Sequence, residues 1–129
     1  MEQKKFNTIM QKAQDNIKEI LKQRNKEYGN FLNIANFTND FFINNMQNID
    51  ITETKEYNAC KTAIFMLGLK LARIEKDYTN PHFDSLSDFL GYLQLLKDLN
   101  IKDLKLHENK TASKLHKQLI EYANKELNK

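Results

Sequence analysis

The stretch from Ala59 to Ile74 reads ACKTAIFMLGLKLARI and is apolar on nearly every side of a helix. Lys61, Lys70 and Arg73 interrupt the apolar pattern. A helix that is apolar all round is typical of a buried element. We therefore predict that this helix is the centre of the fold. Its charged side chains then need partners, because an unpaired buried charge costs several kcal/mol.

The composition of the 129-residue chain indicates an all-α protein. One proline and three glycines are too few for the tight turns of a β protein, while lysine, glutamate, glutamine, leucine and alanine favour helix. This length fits one domain with a core that needs no disulfides. We predict a single all-α domain over residues 1–129, folded as a bundle of about five helices.

Apolar residues at three- and four-residue steps outline the first half of the bundle. An amphipathic helix is predicted from about Lys4 to Tyr28, with Gly29 ending it. A second stripe follows from Phe31 to Met46. Residues 44–51 form the predicted connection to the third helix, and the expected features at its start are Thr52 as cap and Glu53 and Glu56 in the first turns.

The second half of the chain predicts two more helices. Asn80 as cap and Pro81 at the first helical position are expected to open the fourth. Its predicted buried stripe consists of Phe83, Leu86, Phe89, Leu90, Leu93 and Leu96. Gly91 is expected to allow the close approach of a neighbouring element. A fifth helix is predicted from about Thr111.

Charge and cysteine content narrow the expected environment and partners. The single Cys60 offers no disulfide framework and fits a reducing cytoplasm. No run approaches the roughly 18 apolar residues of a membrane span, so we expect no membrane partner. The net charge is +3, and lysines alternate with acids around the outer helices. This pattern favours a solvated face over a nucleic-acid interface.

Four charged residues form the main candidate site. Lys70 and Arg73 are three residues apart on one helix, and Asp84 and Asp88 are four apart on the next. Each pair shares a helix face, so a helical hairpin could bring all four together. One interpretation is a buried ion-pair network. The other leaves a cation free to bind phosphate, for which the planar fork of arginine is well suited.

The same residues have structural alternatives. Asp84, with Ser85 and Ser87 beside it, could stabilise a helix start through the helix dipole. Gly29 suits the left-handed conformation at a helix end, so the Tyr28-Gly29-Asn30 segment is either a cap or a loop where Tyr28 stacks on a base and Asn30 binds a ligand.

Tyr92 and the three histidines are the remaining candidates for a functional role. Tyr92 shares the face of Asp88 and is either a core tyrosine or a ligand contact. The three histidines are scattered and lack the spacing of a zinc site, so we expect no metal ligands and no nucleophile motif.

Three motifs carry a family resemblance: RNKEYGN at 24–30, MLGLKLARI at 66–74 and HFDSLSDFLGY at 82–92. Their order and spacing over residues 24–96 resemble a phage-rich, poorly characterised family related to the MazG-like all-α nucleotide pyrophosphohydrolases. The resemblance implies a helical bundle completed by assembly into a dimer or tetramer, with a nucleotide pocket between helices. It also implies a phage-encoded protein in the host cytoplasm. Related enzymes cut nucleoside triphosphates with magnesium.

The sequence departs from those enzymes at their acidic positions. Where they carry a Glu-Glu-x-x-Glu helix, this chain offers Lys70 and Arg73. Asp88 is similar to the aspartate of their second acidic helix, with Asp84 as its companion. Asn30 stands where the phage family often has aspartate. Magnesium prefers oxygen ligands, and nearby cations repel it while attracting phosphate.

The resemblance and the departures from it predict a protein that binds a nucleotide or nucleotide-derived phosphate ligand without a cofactor. Such a protein could sequester a host defence signal. The expected ligand-binding residues are Tyr28, Asn30, Lys70, Arg73, Asp84, Asp88 and Tyr92. One alternative is a Mg²⁺-dependent pyrophosphohydrolase in which Asp84 and Asp88, with Glu27, Glu53 or Glu56, hold the metal. Another is a helical protein–protein interaction module.

Overall fold

The computed structural model describes residues 2–47, 49 and 55–129. Within these residues the fold is all-α, as predicted: its regular secondary structure is helical and there is no strand. The elements are α1 (Glu2–Tyr28), α2 (Phe31–Met46), α3 (Lys55–Lys76), α4 (Phe83–Asp98) and α5 (Lys114–Leu127). Glu56 lies in the first turn of α3 as expected. The predicted cap Thr52 and its neighbour Glu53 fall outside the described residues.

The central helix is α3, which packs between α2 and α4. Its apolar sequence explains this position, because α3 contacts the other described helices and buries most of its apolar residues, while Lys61, Thr62 and Phe65 stay exposed. The most deeply buried apolar side chains come from α2, α3 and α4, joined by α5 and the connection before it: Phe41, Cys60, Ile64, Leu67, Leu71, Phe89, Leu96, Leu106 and Ala123. The prediction of a buried central helix is confirmed.

Helices α2 and α3 approach each other closely at Gly68 of α3. A Cβ atom added there would stand 2.9 Å from Cδ1 of Phe41 and 3.3 Å from the carbonyl oxygen of Thr38. Glycine therefore lets α2 lie directly against α3. The expectation of a close approach at Gly91 is wrong, because a Cβ at Gly91 would meet nothing within 4 Å.

The fourth helix begins later than expected. His82 is its N-terminal cap residue and makes no side-chain capping bond, so Asn80 and Pro81 precede the helix. Its predicted buried stripe is only partly correct. Phe89, Leu93 and Leu96 are buried against α3, whereas Phe83 is 79% exposed and Leu90 is 46% exposed. The helix buries a narrower face because it has one main neighbour, α3.

Asparagine side chains hold the irregular connection from residue 99 to residue 113 in place. The Asn45 amide accepts from the backbone N–H of His107 at 2.7 Å and donates to its carbonyl at 3.0 Å. Asn124 makes the same pair of bonds with Leu106, at 2.8 and 2.9 Å. A buried backbone outside helices and strands needs such partners. These amides allow the connection to contribute Leu106 to the core.

The last helix starts at a cap that α3 reinforces. Ser113 caps α5 by accepting from the backbone N–H of His116. The carboxylate of Glu75 accepts from both the backbone N–H and the hydroxyl of Ser113, each at 2.7 Å. A carboxylate at a helix N-terminus is favourable because of the helix dipole. This contact fixes α5 to the end of α3.

Candidate ligand-binding site

The end of α1 is anchored to the end of α3. Gly29 follows α1 with φ of +86°, the left-handed conformation that ends many helices. The ammonium of Lys76 donates to the carbonyl of Lys26, one of the last carbonyls of α1. Asn30 then caps α2 by accepting from the backbone N–H of Asn33 at 2.9 Å. The Tyr28-Gly29-Asn30 segment is thus a helix cap.

Tyr28 and Arg73 meet at this junction. The guanidinium carbon of Arg73 lies 4.8 Å from the centre of the Tyr28 ring. The ring of His82 meets the same tyrosine edge-on, with centroids 5.4 Å apart. A cation over an aromatic face is attracted by the ring quadrupole. The contact orients the guanidinium without neutralising its charge.

A cavity of about 450 Å³ opens beside this contact, between α1, α2 and α3. Its walls are mainly apolar, with a few polar groups near one end. The lining residues are Leu21, Arg24, Asn25, Tyr28, Gly29, Phe31, Ile34, Leu69 and Arg73. Phe31 is 81% exposed, so the cavity is open to solvent on the α2 side. Small-molecule sites have this size and composition, roughly 300–1,000 Å³ with few polar groups.

Both arginines of the chain line this cavity. The other 18 of its 20 basic residues are lysines. Neither Arg24 nor Arg73 forms an ion pair with a carboxylate in the described part of the chain. Guanidinium groups bind phosphate with two parallel hydrogen bonds, which lysine cannot do. The cavity therefore combines two available guanidinium groups with an aromatic ring and an apolar wall.

Lys70 has a different environment from Arg73. Its ammonium lies 3.0 Å from a carboxylate oxygen of Asp88 on α4, and the two side chains are 10% and 51% exposed. Lys70 is buried, so this carboxylate supplies the counter-charge that burial requires. The four charges of the predicted site are thus separated. Lys70 and Asp88 pair between α3 and α4, and Arg73 faces the cavity beside α1.

The remaining predicted residues lie outside the cavity. Asp84 is exposed in the first turn of α4 and makes no ion pair with any described residue. Tyr92 is partly buried against the core and borders a separate apolar groove with Leu95 and Leu99. Of the seven residues predicted to bind a ligand, the structure brings Tyr28 and Arg73 together in the cavity.

Sequence reasoning missed Arg24, Asn25 and the apolar wall of the cavity. A signal for Arg24 was present, since it stands four residues before Tyr28 and shares its helix face. The scarcity of arginine in a lysine-rich chain was a second signal. No such signal exists in the sequence for Leu69, because its position in the cavity wall depends on how α1 and α2 cross α3.

The metal-binding alternative requires several acidic side chains at one place. In residues 2–47, 49 and 55–129, no three His, Cys, Asp or Glu side chains come together in a way that would hold a metal ion. Glu53, one of the residues named for such a site, is outside these ranges.

His116 is a core residue. Its Nε2 accepts from the backbone N–H of Asn109 at 2.9 Å, and its ring meets Phe37 and Phe41 edge-on. Its Nδ1 is buried with no partner among the described atoms. Burial, with a smaller contribution from the charge of Lys117, lowers the pKa of His116 from 6.5 to about 4. The ring is therefore neutral near pH 7.

These features define a class of protein: one with five helices in its described residues and an arginine- and tyrosine-lined cavity between the first three of them. No helix in the described part of the chain has the length and apolar character needed to cross a membrane. The chain belongs to the family described as domain of unknown function (DUF6378), whose model matches residues 8–100. The matched segment contains every residue that lines the cavity. No curated protein and no solved structure matches the chain.

Proposed function

We propose that this protein binds a nucleotide or nucleotide-derived phosphate ligand in the cavity between α1, α2 and α3. The observation that carries the proposal is the position of the only two arginines of the chain, Arg24 and Arg73, which line the same cavity. In a chain whose other cations are lysines, arginine at both positions supports a site that uses the planar guanidinium fork.

Each part of the cavity has a role in this proposal. Arg73 and Arg24 bind phosphate oxygens. Tyr28 holds Arg73 in place and offers a ring edge to a base or sugar. The apolar wall formed by Ile34 and Leu69 covers the base. A volume of about 450 Å³ is in the range of small-molecule sites, roughly 300–1,000 Å³.

The proposed activity is binding without turnover. Two guanidinium groups attract phosphate and repel magnesium, so the cavity favours retention of an intact ligand. Such a protein can sequester a phosphate-containing signal, such as one made by a host defence system against a phage. Lys70 stays engaged with Asp88 in this proposal, and Arg24 takes the phosphate-binding role beside Arg73.

Thermal unfolding with a panel of probes tests the proposal. The panel contains nucleoside mono-, di- and triphosphates, cyclic dinucleotides, pyrophosphate and the unphosphorylated nucleosides. A probe present at 100 times its dissociation constant should add about 2.7 kcal/mol to the free energy of unfolding. We expect stabilisation by at least one phosphate-containing nucleotide and a weaker effect of the matching nucleoside. No stabilisation by any phosphate-containing probe would contradict the proposal.

Charge-matched variants then locate the site. R73Q and R24Q should each weaken binding at least tenfold in calorimetry, because each removes one guanidinium fork. R73K keeps the charge and should recover binding only in part. K18Q is the control, since it removes one charge from α1 outside the cavity. Equal affinity of R73Q, R24Q and K18Q would place the ligand elsewhere.

Recovery of the ligand separates binding from catalysis. Mass spectrometry of small molecules released by heat denaturation should show the nucleotide unchanged. Incubation with nucleoside triphosphates and magnesium should release no pyrophosphate. Pyrophosphate release that is lost in D88N would instead support the pyrophosphohydrolase alternative.

A further inference from the structure

The first helix carries an apolar stripe that its own chain leaves uncovered. Every residue from Glu2 to Lys26 is exposed, and α1 contributes no buried residue. The large apolar side chains of the stripe are between 42% and 58% exposed: Phe6, Ile9, Met10, Ile17, Ile20 and Leu21. Lys26 and Tyr28 attach the helix to α3 at its C-terminal end. The helix is therefore held at one end only.

A helix in this situation needs a further contact to be stable. The stability of most helices in proteins comes from packing an amphipathic face rather than from intrinsic propensity. From Phe6 to Leu21 the stripe is about 22 Å long at 1.5 Å per residue. An exposed apolar face of this length is typical of an interaction surface.

The spacing of the stripe indicates that the missing partner is another helix. From Phe6 onward, apolar residues follow in steps of four, three, four and three. They occupy alternate d and a positions of a heptad repeat: Phe6, Met10, Ala13, Ile17 and Ile20. A repeat of this period keeps one seam facing a partner helix as the two wind around each other. Ile9 and Leu21 widen the seam.

The residues beside the seam identify the partner as a second copy of α1. Positions that flank a coiled-coil seam set partner choice through their charges. Apart from Ile9 and Leu21, the flanking positions between Phe6 and Arg24 hold neutral amides: Asn7, Gln14, Asn16 and Gln23. The charged side chains in this part of the helix lie on its outer face, away from the seam: Lys12, Asp15, Lys18, Glu19 and Lys22. From Phe6 to Gln23, two identical helices can therefore pair with no charged side chain in the seam or beside it, and Arg24 marks the end of this uncharged segment.

We propose that two copies of this chain associate through their α1 helices in a coiled coil. The proposal stands independently of ligand binding. The seam leads toward the cavity, because the next heptad position after Ile20 is Arg24, which lines it. Pairing would thus place each cavity at the edge of the dimer interface.

The mass of the full chain in solution tests the proposal. The wild-type protein should have the mass of two chains by light scattering, and I17Q/I20Q should have the mass of one. K18Q/K22Q is the matched control, because it changes two outer positions of the same turns, and it should stay dimeric. A wild-type chain that is monomeric over the whole concentration range, or a dimer that survives I17Q/I20Q, would overturn the proposal.

Cross-linking provides a second measurement that does not weaken the seam by a polar substitution. A13C places a thiol in the centre of the seam, and K12C places one on the outer face. Cys60 is fully buried, and burial raises the pKa of its thiol to about 11, so it should stay unreactive. We expect a disulfide-linked dimer under mild oxidation with A13C and little with K12C.

Equal cross-linking of the two cysteine variants would argue against pairing through this seam.

Binding to vesicles of anionic lipid tests whether the stripe meets a lipid surface instead. A wild-type monomer that binds such vesicles and loses this binding in I17Q/I20Q would assign the stripe to a lipid surface and refute the dimer.

Discussion

Arg73 places its guanidinium over the ring of Tyr28, with 4.8 Å between the guanidinium carbon and the ring centre. This contact joins the central helix to the end of the first one, and both of its residues line the cavity. A single pair of residues thus supports both the attachment of α1 and the proposed binding site.

Replacing the aromatic ring should therefore weaken the junction. We expect Y28L to lower the free energy of unfolding by about 1 kcal/mol, because a cation over a partly exposed ring contributes roughly that amount. Y28F keeps the ring face and should stay within about 0.5 kcal/mol of the wild type, because it removes none of the contacts of the ring. Urea-induced unfolding measures both. Equal losses in the two variants would show that the hydroxyl, rather than the ring, is important.

The two glycines of α3 and α4 should respond in opposite directions to the same substitution. G68A forces a methyl group to within 2.9 Å of the fully buried Phe41 ring and should cost about 1–3 kcal/mol. G91A meets nothing within 4 Å and should add about 0.5–1 kcal/mol, since alanine favours helix. Thermal and urea unfolding test both variants. A neutral G68A would show that α2 can move away from α3 at no cost.

Stability should depend on pH through His116. Its pKa is about 4 in the folded protein and near 6.5 when unfolded, so only the unfolded chain takes up this proton between those values. The resulting contribution of His116 to the free energy of unfolding is fully present above about pH 6.5. It is lost as the pH falls toward 4, and the total loss is about 3 kcal/mol.

The H116Q variant isolates this effect. Glutamine does not titrate, so the stability difference between the wild type and H116Q should shrink as the pH is lowered from 7 to 4. H107Q, at an exposed histidine, is the control for the removal of one histidine side chain. Urea unfolding at several pH values provides the measurement. A constant difference between wild type and H116Q would mean that His116 titrates normally.

The ion pair between Lys70 and Asp88 should be necessary for full stability. D88N leaves a buried ammonium without its carboxylate and should cost about 1–2 kcal/mol, less than for a fully buried pair because Asp88 is 51% exposed. D84N removes an exposed carboxylate from the same helix and should cost under about 1 kcal/mol through the helix dipole alone. Chemical unfolding compares them. Equal losses would indicate that Lys70 is solvated when its partner is removed.

Most of the fold could be predicted from local sequence pattern. The apolar stretch around Leu67 defines a central helix, and the stripes on either side define its neighbours. The errors concern helix ends and exposed faces. Phe83 and Leu90 fit a helical apolar stripe, yet they are exposed because only one neighbouring helix covers α4 along most of its length. Periodicity indicates which residues share a face and carries no information on how wide a face is covered.

The candidate site was only partly predictable for a related reason. Tyr28 and Arg73 could be recognised by residue type, and the structure brings them together. Asn30 had two interpretations, and its side chain caps α2. Arg24 was overlooked although its residue type and spacing pointed to it, since a role for α1 in a site depends on the direction in which that helix leaves α2.

By itself the sequence determined that the chain is helical, that α3 is its centre and that α1 presents one apolar stripe, because helix propensity and periodicity are local properties. Only the tertiary structure decided the surroundings of the two cations of α3. Lys70 and Arg73 stand less than one helical turn apart, yet one meets the carboxylate of Asp88 and the other meets the ring of Tyr28. A helix surrounded by others offers a different neighbour in each direction, and those neighbours are set by packing across the whole domain.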